Sequence, residues 1–314
     1  MPINDSGSSR ATARMDLGEA LTDFVFDESN LIAQSVLPKF GIAKKGGSIT
    51  VVKKTNLKRS DALHANGAGF NRIGLGVDDH DFSCKDYGLE GLLTEEDRSN
   101  YEDQFDAEQA VTFALNRKIL IEREIRVAQK VQNTSTFTGS DLYTDNSADA
   151  WSDPTSKIIA QVRGMIESCR KTCGANPNSL AISGSAFSNM LNNNQIIARF
   201  PGAPVITAAM LQTQVAAIFG IKNLFVGDAL YDGAAEGQDF AATEIWSPSY
   251  ASVFVQHTGL LSQAGLGRTM SWTKMERTVE QYREEQTESD VFRVRQFEDN
   301  NIFEEGFAHL AKIG

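Results

Sequence analysis

Four histidines, three cysteines and a few carboxylate-rich or glycine-rich stretches are the residues with which this chain could do chemistry. His64, His80, His257 and His309 are scattered, and none forms a metal-spaced pair. Asp78-Asp79-His80-Asp81 offers oxygen and nitrogen ligands to a cation, but neighbours on a strand point to alternate faces. A polar turn is the favoured reading there. Cys169 and Cys173 stand four apart on a predicted helix, which is not the Cys-x-x-Cys redox spacing, so they read as buried or idle thiols. Gly74-Leu75-Gly76-Val77-Asp78-Asp79 begins like a dinucleotide fingerprint, but it lacks the third small residue and precedes a strand rather than a helix. Ser183-Gly184-Ser185 does not fit the nucleophile elbow, and no phosphate-cradling Gly-x-x-x-x-Gly-Lys-Ser/Thr exists. Asp228, Tyr231 and Asp232 follow a strand end, a common place for active residues, but a polar loop is the favoured reading. Asn133-Thr134-Ser135 is a formal glycosylation sequon without a secretory signal ahead of it. No catalytic, cofactor or metal site emerges.

The elements that would position these residues are more informative. Residues 1–14 are a polar arm, and 15–37 carry apolar groups at helical spacing up to Pro38. Ser48 to Thr55 and Asp81 to Leu89 read as two strands, joined through the glycine-rich 61–76. A lone two-stranded ribbon is marginal at best, so this one should lie on another domain or another copy of the chain. From Glu95 to about Val131 no Pro or Gly interrupts a helical pattern, a run of roughly 30 residues and ~45 Å. Val111, Leu115 and Ile119 form one apolar row, and Ile121, Ile125 and Ala128 form another, so this helix should be contacted from more than one side. Glu122 and Arg126 make an i,i+4 pair. Residues 133–154 read as a polar linker, with Asp153-Pro154 opening a helix near 155–172. An α/β alternation follows: strand Ser179 to Ser183, helices near 185–193 and 207–219, strand Asn223 to Gly227, then strand-like pieces at Thr243–Trp246 and Ser252–Gln256. Alternating runs return near the end, in RTMSWTKM and VFRVRQF.

Composition bounds the class. The chain has 314 residues, 41% hydrophobic and 23% charged, enough for about two domains with real cores. Net charge is −11, which argues against a dedicated nucleic-acid binder with a basic surface. An odd count of three cysteines is no disulfide framework and points to a reducing compartment. The N-terminus lacks an apolar signal region. The longest apolar runs, such as Val205 to Met210, fall far short of a membrane span. Charge is segregated: residues 39–59 hold seven Lys/Arg and no acid, whereas 78–108 hold twelve acids and two bases. Solvated faces explain this, and so does a basic strand of one copy meeting an acidic patch of another.

The order of these segments resembles the major capsid proteins of tailed bacteriophages, with the Hong Kong 97 capsid fold. Trp151-Ser-Asp-Pro154 followed by a helix, then Gly174-Ala-Asn-Pro177-Asn-Ser-Leu-Ala-Ile-Ser183, looks like the entry to that family's axial domain, with Ala186-Phe187 to Ile197 as its next helix. Ile221 to Gly227 looks like the following strand, and Tyr282 to Phe297 resembles the strands that return to the spine helix. The resemblance implies an α+β shell protein that is not an enzyme and needs no cofactor. Its arm would be 1–40, its extended loop 41–94, its peripheral domain 95–135 plus 260–314, and its axial domain 136–259. It implies pentamers and hexamers in an icosahedral virion shell around double-stranded DNA that is touched only weakly, with no membrane. It further implies assembly in the bacterial host cytoplasm with a separate scaffold protein, a portal and in some members a decoration protein. Some members cross-link Lys to Asn; Lys53, Lys54 and Lys58 lie in the matching region, but no partner Asn is identifiable and cross-linking is not expected. Inter-subunit contacts are expected from Lys44, Lys45, Lys53, Lys54, Lys58 and Arg59 to Glu95, Glu96, Asp97, Glu102 and Asp103. Two alternatives stay open: an encapsulin-like nanocompartment shell, and a soluble α/β hydrolase without a local motif.

Overall fold

The computed structural model describes residues 12–13, 17, 30–52, 56, 58–60, 62–63, 70–101, 106–200, 208–235, 237–259 and 265–314. In chain order the arm contributes β1 (Thr12–Ala13), the short helix α1 (Ala33–Val36) and β2 (Lys39–Ile42). The ribbon strands are β3 (Gly46–Val52) and β4 (Val77–Ser83), followed by β5 (Lys85–Thr94). Helices α2 (Glu95–Tyr101) and α3 (Ala107–Val131) come next. Then follow β6 (Tyr143–Asp145), α4 (Ile158–Cys173), β7 (Ser179–Ser183), α5 (Gly184–Leu191), α6 (Asn194–Ile197), α7 (Ala208–Phe219) and β8 (Asn223–Gly227). The chain closes with β9 (Leu230–Asp232), β10 (Ala242–Glu244), β11 (Tyr250–Phe254), β12 (Gly267–Trp272), β13 (Thr278–Glu284), β14 (Ser289–Ile302) and β15 (Ala308–Lys312).

Two larger sheets organise these elements. The first runs β1-β13-β14-β12-β2, with β5 on the other edge of β14 over ten residue pairs. The second runs β6-β15-β11-β7-β8. Helix α3 joins them. Its first half packs Leu115 and Ile119 against Leu93, Phe292 and Val294 beneath the first sheet. Its last turns bury Val127, Ala128 and Val131 with Leu37, Trp246, Phe254 and Leu310 beside the second. One helix is thus covered by two cores; of the second apolar row expected, only Ala128 enters a core, and Ile121 and Ile125 stay half-buried while Val127 and Val131 take their place. Gly91 lets β5 approach this helix closely, because a Cβ there would sit 2.7 Å from Val111 Cγ1. A third core gathers Ile158, Val162 and Met165 of α4 with Leu180, Ile182, Met190 and Val215 on the second sheet.

Several expectations need correction. The helix expected over 95–131 is two helices. Asp106 takes an extended backbone, and its carboxylate accepts hydrogen bonds from the amides of Glu108 (3.0 Å) and Gln109 (3.2 Å), capping a new start. Arg126 does not pair with Glu122. It bonds Glu298 on β14 and lies 3.7 Å from the Tyr87 ring centroid. The stretch 133–154 is packed rather than a free linker: Phe137 and Trp151 are fully buried, and β6 pairs with β15. Helix α4 starts at Ile158, because Asp153 spends its carboxylate on the amide and hydroxyl of Thr155. The helix expected from 186 to 197 divides at Asn193, whose side chain accepts from the Gln195 amide. Of the helical segment expected at 15–37, residues 15–16 and 18–29 lie outside the described residues. The second ribbon strand is broken at Cys84, so 85–94 belongs to the first sheet and the free ribbon is 46–83. Strand β15, expected with the peripheral segment 260–314, instead pairs with β11 and completes the second sheet.

Candidate subunit interface

The ribbon is where the molecule reaches outward. Strands β3 and β4 pair antiparallel from Gly46↔Ser83 to Val52↔Val77. Alternation puts Ile49, Val51 and Phe82 on one face, and these bury against Cys84, Met270 and Phe297. The Ser83 amide donates to Asp299 (2.8 Å), and the Cys84 amide donates to the Lys45 carbonyl (2.9 Å). The base of the ribbon is therefore satisfied by its own chain. Of the two supports expected for the ribbon, another domain or another copy of the chain, its base takes the first. Farther out the apolar side chains are open: Ile73 is 74% exposed, Leu75 72% and Phe70 78%. The amide of Gly76 donates to Asn56 and its carbonyl accepts from the same side chain, which ties the two limbs together below the tip.

The acidic stretch after the ribbon meets its countercharge largely within the chain. On β14, Arg293 donates to Glu90 of β5 (2.6 Å) and to Glu280 of β13 (3.3 Å). Arg295 reaches Asp86 on one side and Glu280 (3.7 Å) on the other. Arg98 bridges Glu108 and Asp290, both at 2.7 Å. A row of arginines in the middle strand is thus flanked by carboxylates on both neighbours, the cross-strand arrangement that favours one register.

The residues expected at a boundary fall into three groups. Glu95 bonds Arg283 at 2.5 Å, Asp97 accepts from the Thr94 hydroxyl at 2.8 Å, and the Lys45 ammonium lies 4.5 Å from the Phe297 ring centroid. These three have partners in their own chain. Lys44, Lys58, Arg59 and Glu96 are exposed. Lys53, Lys54, Glu102 and Asp103 lie outside the described residues.

The chemical candidates settle into the fold. All three cysteines are free and buried. Burial pushes the Cys84 thiol up to about 11, whereas a hydrogen bond from Cys169 pulls Cys173 down to about 7. His309 is fully buried between the Asp141 carbonyl (3.0 Å) and the Thr144 hydroxyl (2.9 Å), and burial lowers its pKa. Asp232 accepts from the amides of Ala234 and Ala241, both at 3.0 Å, and so orders the β9–β10 loop. Asp228 lines a cavity of about 240 Å³ with Arg117, Ile121 and Leu230. Among the described residues no group of three or more His, Cys, Asp or Glu is arranged to hold a metal, and no helix is long and apolar enough to cross a membrane.

Several polar residues that sequence reasoning does not single out are buried, among them Arg123, Arg268 and Glu298, and the most enclosed carboxylate is on α3. Glu124 is completely buried, although it sits in the apolar register Leu120, Val127 and Val131. That interruption of a buried stripe by a carboxylate was a readable signal.

Comparison with known proteins agrees with this architecture. No family model matches the chain. It is 26% identical over 255 residues to the major capsid protein of Burkholderia phage BcepMu, covering 78% of this chain and 76% of that one. It is 21% identical over 238 residues to the major capsid protein of Pseudomonas phage JBD67, covering 73% of each. Among solved structures, a phage-related protein from Bordetella bronchiseptica superposes with a TM-score of 0.74 at 18% identity, over 96% of this chain and 97% of the other. The chain has the Hong Kong 97-like fold of phage capsid proteins, and the curated proteins it resembles are phage major capsid proteins. The capsid of cyanophage P-SCSP1u has the same fold (TM-score 0.57, 11% identity, covering 88% and 86%). So does an encapsulin complex from Synechococcus elongatus (TM-score 0.53, 8% identity, covering 88% and 85%). On the division expected from sequence, α3 would be the spine helix, 46–83 the extended loop, and the second sheet the core of the axial domain.

Proposed function

We propose that this coat protein assembles as pentamers and hexamers into an icosahedral shell around double-stranded DNA, and does no catalysis. The observation that carries the reading is the ribbon: its base is fixed on its own subunit, and its tip holds Ile73 and Leu75 out in solvent. An apolar tip held away from its own core is suited to lie on another copy of the chain. Lys44 before the ribbon, Lys58 and Arg59 in its outer part, and Glu96 on α2 are exposed charges that would fix its register there. The undescribed Lys53, Lys54, Glu102 and Asp103 belong to the same proposed set. Many such contacts, each modest, add up to a durable particle. A net charge of −11 keeps confined DNA from adhering to the wall. The domain division proposed is an arm to about residue 40, a loop at 46–83, a peripheral part built on the first sheet and an axial part built on the second. Within the phage, the shell would form in the host cytoplasm on a separate scaffold protein, carry a portal at one vertex and accept a decoration protein where the phage encodes one.

The test is to express the chain with a candidate scaffold and examine the product by negative-stain electron microscopy. Closed shells protecting nuclease-resistant DNA are expected after packaging. A monodisperse monomer under every assembly condition would overturn the proposal, and shells enclosing a protein cargo would replace it with the nanocompartment reading.

A further inference from the structure

Helix α3 carries a carboxylate that is fully buried, hydrogen-bonded through both oxygens, and shared by two distant parts of the chain. Glu124 Oε1 accepts from the amide of Ile32 (2.8 Å), the amide of Ala33 (3.0 Å) and the indole Nε1 of Trp246 (2.6 Å). Its Oε2 accepts from the Ala33 amide again, at 2.9 Å. Ile32 and Ala33 open α1 in the arm, and Trp246 follows β10 in the axial part. The surroundings are apolar: Leu37, Val127, Val131 and Phe254 belong to the same buried cluster. The neighbouring arm residues 30–37 contain no charged side chain, and neither do 245–250. Arg123, on the same helix, is the charged group that acts on the carboxylate.

We propose that Glu124 couples the anchorage of arm residues 32–37 to the seating of Trp246, so that loosening either one loosens the other. A carboxylate in an apolar site is tolerable only while several donors replace its lost water. Three donor groups do so here, and two come from the arm while the third comes from the axial part. Remove one, and the remaining pair must hold a charge that burial already disfavours. The junction then admits water or a proton, and both outcomes release the other donors. The rest of the arm segment hangs on this point. Gln256, just beyond β11, donates to the Ser35 carbonyl, and Thr269 of β12 donates to the Leu37 carbonyl at 3.1 Å. Trp246 is equally confined, since a Cβ on Gly227 would sit 2.3 Å from its Cδ1. The arm, the spine and the axial part therefore meet at one charge, and the inference needs contacts within a single chain only.

Hydrogen exchange on the unassembled subunit tests it, followed by mass spectrometry of peptides covering 30–37. Trp246→Phe should speed exchange there about tenfold, the order expected for one lost charge-assisted hydrogen bond. Glu124→Leu should speed it at least as much, and the double variant should exchange no faster than Glu124→Leu alone. Val127→Ala, which opens a cavity in the same cluster without touching the carboxylate, should have a smaller effect than Trp246→Phe. Wild-type exchange in Trp246→Phe would overturn the proposal. So would additive effects in the double variant, or an equal effect from Val127→Ala. If Glu124→Leu does not fold, the comparison of Trp246→Phe with Val127→Ala decides the matter alone.

Discussion

Replacing Phe82 by alanine should detach the ribbon and leave the rest of the subunit standing. Phe82 is 9% exposed, and it packs with Ile49 and Val51 against Met270 and Phe297. Burying three such side chains contributes on the order of 6 kcal/mol to holding the ribbon down. Removing the ring costs about 3 kcal/mol. Among the described residues, strands β3 and β4 pair only with each other, and such a hairpin has little stability of its own. The loss should therefore appear as local opening. Amide exchange across 48–52 and 78–83 should accelerate by about two orders of magnitude. The main thermal transition should move by no more than a few degrees, because the cores beneath the two larger sheets are untouched. Hydrogen exchange with mass spectrometry, alongside calorimetry, reads both quantities. Unchanged protection in the ribbon would refute the docked base. A collapse of the whole thermal transition would refute the separation of this small core from the others.

Three further outcomes follow from the same contacts. Burial lowers the pKa of His309 below 6.5, so the unfolded chain takes up protons that the native state refuses. Stability should fall as pH drops below about 6.5, and a His309→Gln variant should show a shallower fall in denaturant titrations, not a flat one, because His257 is shifted in the same direction. Gly227→Ala forces a methyl onto the fully buried Trp246 and should lower the denaturation midpoint by the equivalent of about 1–3 kcal/mol with an unchanged slope. Arg295→Gln removes one rung of the partly exposed charge ladder on β14; it should cost less than about 1 kcal/mol, and the difference should shrink in high salt.

The sequence made the order of the parts legible because each part has its own pattern. The ribbon strands alternate, helix α3 runs without Pro or Gly, and the elements from α4 to β8 alternate between helical and strand periodicity. What it hid was long-range. Phe137 and Trp151 lie in a polar run, and only the β6–β15 pairing reveals why they are buried. Asp106 looked like one more acid on a helix, until its extended backbone made it a cap. The charge segregation was visible, but its cis resolution was not, since Arg293 and Arg295 stand about 200 residues from Glu90 and Asp86. Glu124 belongs to the same class: local spacing marks it as out of place, and only tertiary structure supplies its donors.

Whether the exposed tip of the ribbon joins subunits is the most direct question to put to the molecule. The measurement is particle formation by the double variant Ile73→Ser, Leu75→Ser against wild type at matched concentration, by sedimentation and electron microscopy. Both side chains are more than 70% exposed, so the variant subunit should melt at the wild-type temperature yet fail to close shells. Normal shells from that variant, at the wild-type threshold concentration, would contradict the role assigned to the tip.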